Sequence, residues 1–250
     1  MTTSTDTWLT DLRHWHDQRD AQATAAHGTA ALTGTHWLDA TPEPIEGLPG
    51  TWSALDGRIV GTAPGLRIDL GPGDRHALGD RELVALVRAG RLALRVFDPA
   101  APTRTTLAGI ESFEPDPAWV LTGTAERTEN NEIATQPLKL EHIDGFVSDN
   151  TGVRVRLEIG GAERVLQAAA AADGALQLTF SDTTVGDETE NFRFLTIPAP
   201  DAAGRIVADF NRAYLPPCTF TDHYLCPLPP AGNRLDLPVR AGESRLRRAE

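Results

Sequence analysis

The sequence predicts a mainly β protein, an antiparallel β-barrel or sandwich with an N-terminal helix and a proline-rich C-terminal loop. Three observations carry this prediction. Apolar residues recur at helical spacing near the N-terminus, about a dozen short apolar segments follow between glycine-rich turn signals, and prolines cluster toward the C-terminus. We assign a single domain to residues 1–250, with a helix at 7–27, a β-rich body at 28–210 and a C-terminal loop at 209–243.

The N-terminal helix is predicted from an apolar stripe. Trp8, Leu12, Trp15 and Arg19 are spaced by four, three and four residues, so they share one face of a helix. Gly28 follows at a position where it can end the helix. A tryptophan-rich stripe of this kind usually docks on the core of its own domain.

The β-rich body is predicted from short runs between turn signals. We expect strands at Trp52–Leu55, Arg58–Thr62, Leu66–Leu70, Glu82–Arg88, Arg91–Phe97, Trp119–Thr124, Ala175–Phe180, Phe192–Ile197 and Ile206–Phe210. The clearest hairpin joins the alternating segment from Val153 to Ile159 with Val165 and Gln167 through Gly160-Gly161. Many short strands with regular turns are typical of sandwiches and barrels.

The composition argues against several partners. The 250 residues carry a formal net charge of −12, whereas phosphate backbones and anionic lipids are bound by clustered basic residues. We therefore expect no nucleic acid partner and no membrane partner, and we interpret Arg245, Arg247 and Arg248 as a solvated end. No nucleotide-binding motif occurs, so no cofactor is predicted. The polar N-terminus and the absence of a long apolar run predict a cytoplasmic protein. The oligomeric state cannot be inferred.

Rare residues concentrate near the C-terminus. Both tyrosines and both cysteines of the chain fall between Tyr214 and Cys226, and six prolines lie in or just beyond that window. Proline fixes φ and removes a backbone donor, which excludes an ordinary helix or central strand there. We expect a rigid extended loop that follows a strand and covers a barrel mouth or a sheet edge.

Polar residues accompany this loop, and two interpretations of them stay open. In the first, they form a structural plug in which Asp209 pairs with Arg212 and the asparagines satisfy backbone groups. In the second, they surround a small and anionic molecule that Arg212 binds through its forked guanidinium. The predicted ligand-binding residues are Arg193, Asp209, Asn211, Arg212, Tyr214 and Asn233.

Two further functional hypotheses belong to other classes. A hydrolase would use Asp209 or Asp182 as its general base, because a carboxylate near an arginine stays ionised and suits a base better than an acid. An interaction module would instead present the proline-rich loop to a partner. The sequence alone does not choose between them.

The two cysteines allow three chemical states. Cys218, His223 and Cys226 supply three potential zinc ligands within nine residues, although a fourth ligand is missing and the spacing matches no standard pairing. A disulfide between Cys218 and Cys226 would close a short loop, and a reducing cytoplasm would oppose it. Two reduced, buried thiols are the favoured state.

A distinctive series of short motifs runs from Phe180 to Glu243: Asp182-Thr183-Thr184, Arg193-Phe194-Leu195, Asp209-Phe210-Asn211-Arg212-Ala213-Tyr214, Pro216-Pro217-Cys218, Cys226-Pro227-Leu228-Pro229-Pro230, Asn233-Arg234-Leu235 and Ala241-Gly242-Glu243. In their order and spacing these motifs resemble the DUF1684 family, bacterial and archaeal proteins of unknown function. The resemblance implies no particular reaction, because none is known for the family.

Overall fold

A computed structural model describes residues 4–88, 90–128 and 152–249. Positions 129–151 of the predicted β-rich body lie outside this range. The chain divides into two compact units. The first unit comprises Met1–Asp20, Ala108–Thr219 and Leu225–Ala249, and the second comprises Ala21–Leu107 together with Phe220–Tyr224. The assignment of a single domain stays a prediction.

The helices and strands follow in chain order. The helices are α1 (Ser4–Thr24), α2 (Pro102–Thr105) and α3 (Pro217–Phe220). The first strands are β1 (Leu32–Leu38), β2 (Thr51–Leu55), β3 (Arg58–Ala63), β4 (Leu66–Leu70), β5 (Arg75–Leu78), β6 (Arg81–Arg88), β7 (Arg91–Phe97) and β8 (Leu107–Ser112). The others are β9 (Val120–Arg127), β10 (Gly152–Ile159), β11 (Ala162–Ala170), β12 (Leu176–Phe180), β13 (Arg193–Ile197), β14 (Arg205–Asp209) and β15 (Glu243–Arg248).

The second unit contains two antiparallel sheets. Their strand orders are β1-β7-β6-β5 and β2-β3-β4. Trp52 is fully buried in their shared core with Ile59, Leu83 and Leu94. Gly61 faces this indole across the β2–β3 pair, and a Cβ there would lie 2.5 Å from the ring. A glycine is therefore required for the tryptophan to fill this core.

The first unit is built on a six-stranded antiparallel sheet that curves into a half-barrel. Its strand order is β13-β12-β11-β10-β9-β14. The predicted hairpin is present as β10 and β11, and Gly160 and Gly161 make its turn with φ values of 64° and 77°. Val153, Val155 and Leu157 are buried on one face of β10, as the alternation predicts.

The arginine-rich end is an ordered strand, and two of its three arginines, Arg247 and Arg248, are exposed as predicted. Residues Glu243–Arg248 form β15, which pairs with β8 in a separate two-stranded sheet. Leu246 is buried, and the Nη2 group of Arg247 donates to the carbonyl oxygen of Ala108 at 3.0 Å. The strand itself was not predicted, because a short segment dominated by arginine lacks the apolar pattern that identifies strands.

The mainly β fold, its antiparallel strands and its N-terminal helix are confirmed. Helix α1 begins and ends three residues earlier than predicted, because the chain turns before Gly28. The strands β1, β5, β8 and β15 were not predicted, and each lacks a clean apolar alternation. None of the helices within the described ranges has the length and apolarity that a membrane span needs.

Candidate functional site

One face of α1 contacts the C-terminal segment of the first unit. The indole N–H of Trp8 donates to Asp209 Oδ2 at 2.9 Å, and Nε of Arg19 donates to Glu243 Oε1 at 2.7 Å. Trp15, between them on the helix, is half-buried. The predicted stripe is therefore a docking face, and it brings polar side chains of the helix to the C-terminal loop.

Glu243 is a fully buried carboxylate that joins three parts of the first unit. It accepts hydrogen bonds from Nε and Nη2 of Arg19 at 2.7 and 3.1 Å, and from the backbone N–H of Leu215 at 2.8 Å. The preceding Gly242 has φ of 78°, and a Cβ there would lie 2.4 Å from the carbonyl oxygen of Ala213. Only glycine allows this close approach, which places Glu243 beneath the helix.

Asp209 and Asn211 form a saturated polar cluster. Asp209 Oδ1 accepts from the backbone N–H of Asn211 at 3.0 Å and from its Nδ2 at 2.9 Å. Asn211 also bonds both the N–H and the C=O of Asp116, each at 2.9 Å. Asn211 is buried and its amide group is fully used, so its contacts match the structural plug and leave little to offer a ligand.

Arg193 and Asp182 form a buried ion pair. Neither side chain has any exposed surface, and Nη2 of Arg193 donates to Asp182 Oδ2 at 2.6 Å. The same guanidinium donates to the carbonyl oxygens of Val239, Ala241 and Glu243. Burial lowers the pKa of Arg193, whereas the charge of Asp182 raises it. Arg193 thus holds the incoming C-terminal segment, and its guanidinium does not face a ligand cavity.

Asp182 has no free face for catalysis in this arrangement. Its Oδ1 accepts from the backbone N–H and the hydroxyl of Thr184 at 2.8 and 2.6 Å, while Oδ2 accepts from Arg193. A general base must reach the proton that it removes. The geometry therefore does not favour Asp182 as a general base, and Asp209, with Trp8 and Asn211 as donors, is similarly occupied.

Asn233 and Tyr214 are also engaged within the first unit. Asn233 is fully buried, and its Nδ2 donates to the carbonyl oxygens of Gln167 and Thr179 at 2.8 and 2.7 Å. Its Oδ1 accepts from the N–H of Gln167 at 2.8 Å, so both ends of the side-chain amide have hydrogen-bond partners. Tyr214 donates its hydroxyl to Gln177 Oε1 at 3.1 Å, and its ring lies under the guanidinium of Arg19 at 4.8 Å.

Arg212 differs from the other predicted ligand-binding residues. Its side chain is 30 % exposed, and Nε lies 3.4 Å from Asp209 Oδ2. Its guanidinium lies 5.9 Å from the ring centre of Trp15. Within the described residues, neither Nη group of Arg212 makes a hydrogen bond, so the open end of the fork remains available.

His16 lies beside Trp15 on α1 and is not among the residues predicted from sequence. Its Nδ1 lies 3.3 Å from the hydroxyl oxygen of Ser112 at the end of β8. Burial lowers the pKa of His16, Arg212 and Arg19 lower it further, and the charge of Glu243 opposes this shift. The imidazole is therefore neutral near pH 7 and can accept a proton or a hydrogen bond.

The cysteines are close in space. The backbone N–H of Cys218 donates to Sγ of Cys226 at 3.3 Å, and both side chains are thiols. In the part of the chain that the structure describes, no group of three or more His, Cys, Asp or Glu side chains is arranged to hold a metal ion. The zinc hypothesis for Cys218, His223 and Cys226 thus gains no support from the geometry.

An open groove of about 700 Å³ lies elsewhere in the first unit. Its lining comes from β9, β14 and the connection after β13: Thr122, Gly123, Thr124, Pro198, Ala199, Asp201, Arg205, Ile206 and Val207. None of the predicted ligand-binding residues lines it. The lining is mostly apolar and the groove is open to solvent, so it does not match the polar pocket expected under the C-terminal loop.

The candidate site is the cluster of Arg212, Trp15, His16 and Ser112, which we call the Arg212 face. Of the residues selected from sequence, only Arg212 presents solvent-accessible N–H groups without a hydrogen-bond partner among the described residues. Sequence reasoning missed His16 and Ser112, since a single histidine or serine carries no spacing signal. Arg19 was predicted only as part of the helix stripe. A cation on an otherwise apolar helix face indicates a buried acidic partner, which here is Glu243.

The fold and this arrangement define a mainly β protein whose C-terminal polar motif is packed under an N-terminal helix. A family model described as "Protein of unknown function (DUF1684)" matches residues 105–244, more than half of the chain. The chain therefore belongs to the DUF1684 family.

One solved structure with significant similarity is the solution NMR structure of an uncharacterized protein of Haloarcula marismortui. The two sequences are 30 % identical, and the match covers 54 % of this chain and 76 % of the other, with a TM-score of 0.41. A search of curated proteins found no match.

Proposed function

We propose that the first unit binds a small anionic molecule at the Arg212 face. One observation carries the proposal: both Nη groups of Arg212 lack hydrogen-bond partners among the described residues, while its Nε lies 3.4 Å from Asp209 Oδ2. A guanidinium whose Nε side lies beside a carboxylate still offers its two Nη groups, in the geometry that carboxylate and phosphate oxygens accept.

The surroundings support an anion more than a cation. His16 lies close enough to Arg212 and Arg19 for their positive charges to lower its pKa, and Glu243 is paired with Arg19 within the buried framework. Trp15 contributes an aromatic surface beside the guanidinium. Because the polar groups beneath are already paired, binding at this face would not require the framework to rearrange.

We expect Arg212→Gln to abolish stabilisation by small anions. In a thermal-shift assay with millimolar inorganic phosphate, citrate and acetate, at least one anion should raise the Tm of the native protein. An anion at ten times its Kd adds about 1.4 kcal/mol, which corresponds to roughly 3–6 °C for a chain of this size. Arg212→Gln should remove the shift and leave the Tm without anion nearly unchanged.

Arg240→Gln is the matched control. Arg240 is an exposed arginine of the same unit, paired with Glu188 at 2.7 Å, and it is remote in sequence from α1. It should retain the full anion-dependent shift. Equal loss in both variants would indicate nonspecific charge effects, and retention of the shift in Arg212→Gln would refute the proposed site.

A second candidate is ester hydrolysis at the same face. The observation in its favour is the 3.3 Å contact between Ser112 and a neutral His16. In this reaction Ser112 Oγ attacks an ester carbonyl while His16 Nδ1 takes the hydroxyl proton and returns it to the leaving alcohol. Water then releases the acid from Ser112 with His16 as the base. The general base is here His16, since Asp182 and Asp209 are occupied by internal donors.

The pH profile of hydrolysis tests this candidate. Because the pKa of His16 is lowered, the rate on p-nitrophenyl acetate should rise with pH through a value below 6.5 and level off above it. His16→Gln and Ser112→Ala should each reduce the rate by about 10²–10⁴-fold. If the rate is unchanged in both variants but falls in Asp209→Asn, the general base is Asp209 and not His16. If the native protein does not hydrolyse the ester, this candidate is refuted and anion binding remains as the proposed function.

The remaining hypotheses stay predictions. A cytoplasmic location rests on the polar N-terminal sequence, and the absence of nucleic acid and membrane partners rests on the net charge of −12. An interaction module remains the third class. Full protection of the proline-rich loop against hydrogen exchange in the isolated protein would count against it.

A further inference from the structure

The two cysteines of the chain lie at the two ends of a short inserted segment. Cys218 and Cys226 belong to the first unit, whereas Phe220–Tyr224 between them belongs to the second unit. The N–H of Cys218 lies 3.3 Å from Sγ of Cys226. Since the sulfur of Cys218 is only three bonds from its own nitrogen, rotation about one side-chain bond moves it relative to Sγ of Cys226 without moving the backbone.

The backbone around both cysteines is stiff. Pro216 and Pro217 precede Cys218, and the carbonyl oxygen of Pro216 accepts from the N–H of Thr219 at 2.9 Å. Pro227 follows Cys226 directly. Proline restricts φ, so the backbone that flanks the pair on both sides has little freedom, and the contact at 3.3 Å shows that the two cysteines are close. A disulfide needs such closeness, because distant cysteines cannot be bridged without backbone movement.

The segment between the cysteines is anchored at several points in the second unit. The hydroxyl of Thr221 donates to the carbonyl oxygen of Leu32 at 3.1 Å. Thr35 donates to the carbonyl oxygen of His223 at 2.8 Å, and the ring of Tyr224 lies 4.9 Å from the guanidinium carbon of Arg95. A covalent bond between its two ends would close a ring around a segment that is already ordered.

We propose that Cys218 and Cys226 form a reversible disulfide that fastens the base of the segment Phe220–Tyr224. The co-reactant is a small-molecule disulfide, such as glutathione disulfide. The half-buried Cys218 attacks it as a thiolate, forms a mixed disulfide and releases one thiol. Cys226 then attacks Sγ of Cys218 as a thiolate and releases the second thiol. The protein loses two protons and two electrons, and the oxidant becomes two thiols.

The backbone contact and the burial of the two thiols favour this order of attack. The N–H of Cys218 donates to Sγ of Cys226, so the second sulfur is held beside the residue that reacts first. Cys226 is buried, so it is shielded from direct reaction with the oxidant but lies beside Cys218 for the second step. Cys218 is the more accessible of the two and therefore the site of first attack.

The test is equilibration of the full chain in glutathione buffers of increasing oxidation, followed by alkylation and intact-mass analysis. We expect an intramolecular Cys218–Cys226 disulfide that is reversed by dithiothreitol. Hydrogen exchange of amides 220–224 should slow by roughly tenfold to eightyfold, the upper value being set by ring-closure entropy. Glutathione adducts or linked dimers in place of the internal disulfide, or unchanged exchange in the oxidised protein, would overturn the proposal.

Cys226→Ser is the matched variant for the order of attack. With the second thiol removed, the mixed disulfide at Cys218 should accumulate, and peptide mapping should locate the glutathione there. Cys218→Ser should react at least tenfold more slowly with the same buffer. Equal rates for the two variants would show that Cys226 is open to the oxidant, which contradicts the assigned order. The main result comes from the unmodified chain and does not require either variant to fold.

Discussion

Asp182→Asn is expected to lower the free energy of unfolding by about 3–5 kcal/mol, the range for removing one partner of a buried ion pair. The physical reason is the position of Arg193, whose side chain has no exposed surface. Asparagine keeps the shape of the aspartate but not its charge, so the guanidinium would be left buried with no counter-charge other than Glu243, which is already paired with Arg19. Urea denaturation followed by tryptophan fluorescence measures the change.

Asp236→Asn is the control for this prediction. Asp236 pairs with Arg164 at 2.8 Å in the same unit, but its side chain is 74 % exposed. An exposed ion pair contributes about 0–1 kcal/mol, so this variant should unfold near the native midpoint. If Asp182→Asn lowered the free energy of unfolding no more than Asp236→Asn does, the buried ion pair would not be what holds the C-terminal segment in place.

A double variant separates charge from hydrogen bonding. Arg193 also donates to three carbonyl oxygens of the C-terminal segment. Combining Asp182→Asn with Arg193→Met removes the uncompensated charge but leaves these carbonyls without their donor. We therefore expect the double variant to recover only part of the lost stability. Full recovery would mean that the carbonyl contacts contribute little.

Glu243→Ala should lower the free energy of unfolding by about 2–4 kcal/mol, the second-largest effect that we expect. The loss of the carboxylate leaves Arg19 and the N–H of Leu215 without their acceptor. The expected cost is below that of Asp182→Asn because Arg19 is 17 % exposed and can gain some hydration. The measurement is urea denaturation, as for Asp182.

This variant also tests how the Arg212 face is assembled. Glu243 ties α1 to the C-terminal segment, and α1 supplies Trp15 and His16 to the face. We expect Glu243→Ala, at a temperature where it is folded, to weaken anion binding as well as stability. Glu188→Ala is the control, because Glu188 pairs with Arg240 on the surface. Anion binding unaffected by Glu243→Ala would show that the helix contributes nothing to the site.

The plug and the binding site predicted from sequence are different parts of one motif. Arg193, Asn211 and Asn233 are buried with their polar groups almost fully used, which is the behaviour of a plug. Arg212 lies three residues from Asp209 and keeps two Nη groups open. The same short motif therefore provides both the rigid support and the one guanidinium on which the anion-binding proposal rests.

The sequence by itself determined the mainly antiparallel β fold, the N-terminal helix and the family. These follow from local patterns: alternation in β10, glycine pairs at turns, helical spacing from Trp8 to Arg19, and a proline-rich motif. Strand β15 was not predicted, because it pairs with β8, more than a hundred positions away, and its arginine-rich sequence has no apolar alternation.

Only the tertiary structure decided which polar residues are internal and which are open. The type of a polar residue does not reveal whether it is buried, because charge and hydrogen-bonding capacity are the same in both cases. This holds for Asp182, Arg193, Asn211 and Arg212. Arg193 meets a carboxylate eleven positions earlier and carbonyl groups some fifty positions later, whereas Arg212 meets Trp15 of α1. Such distant contacts have no local signature, since the folded chain alone brings these groups together.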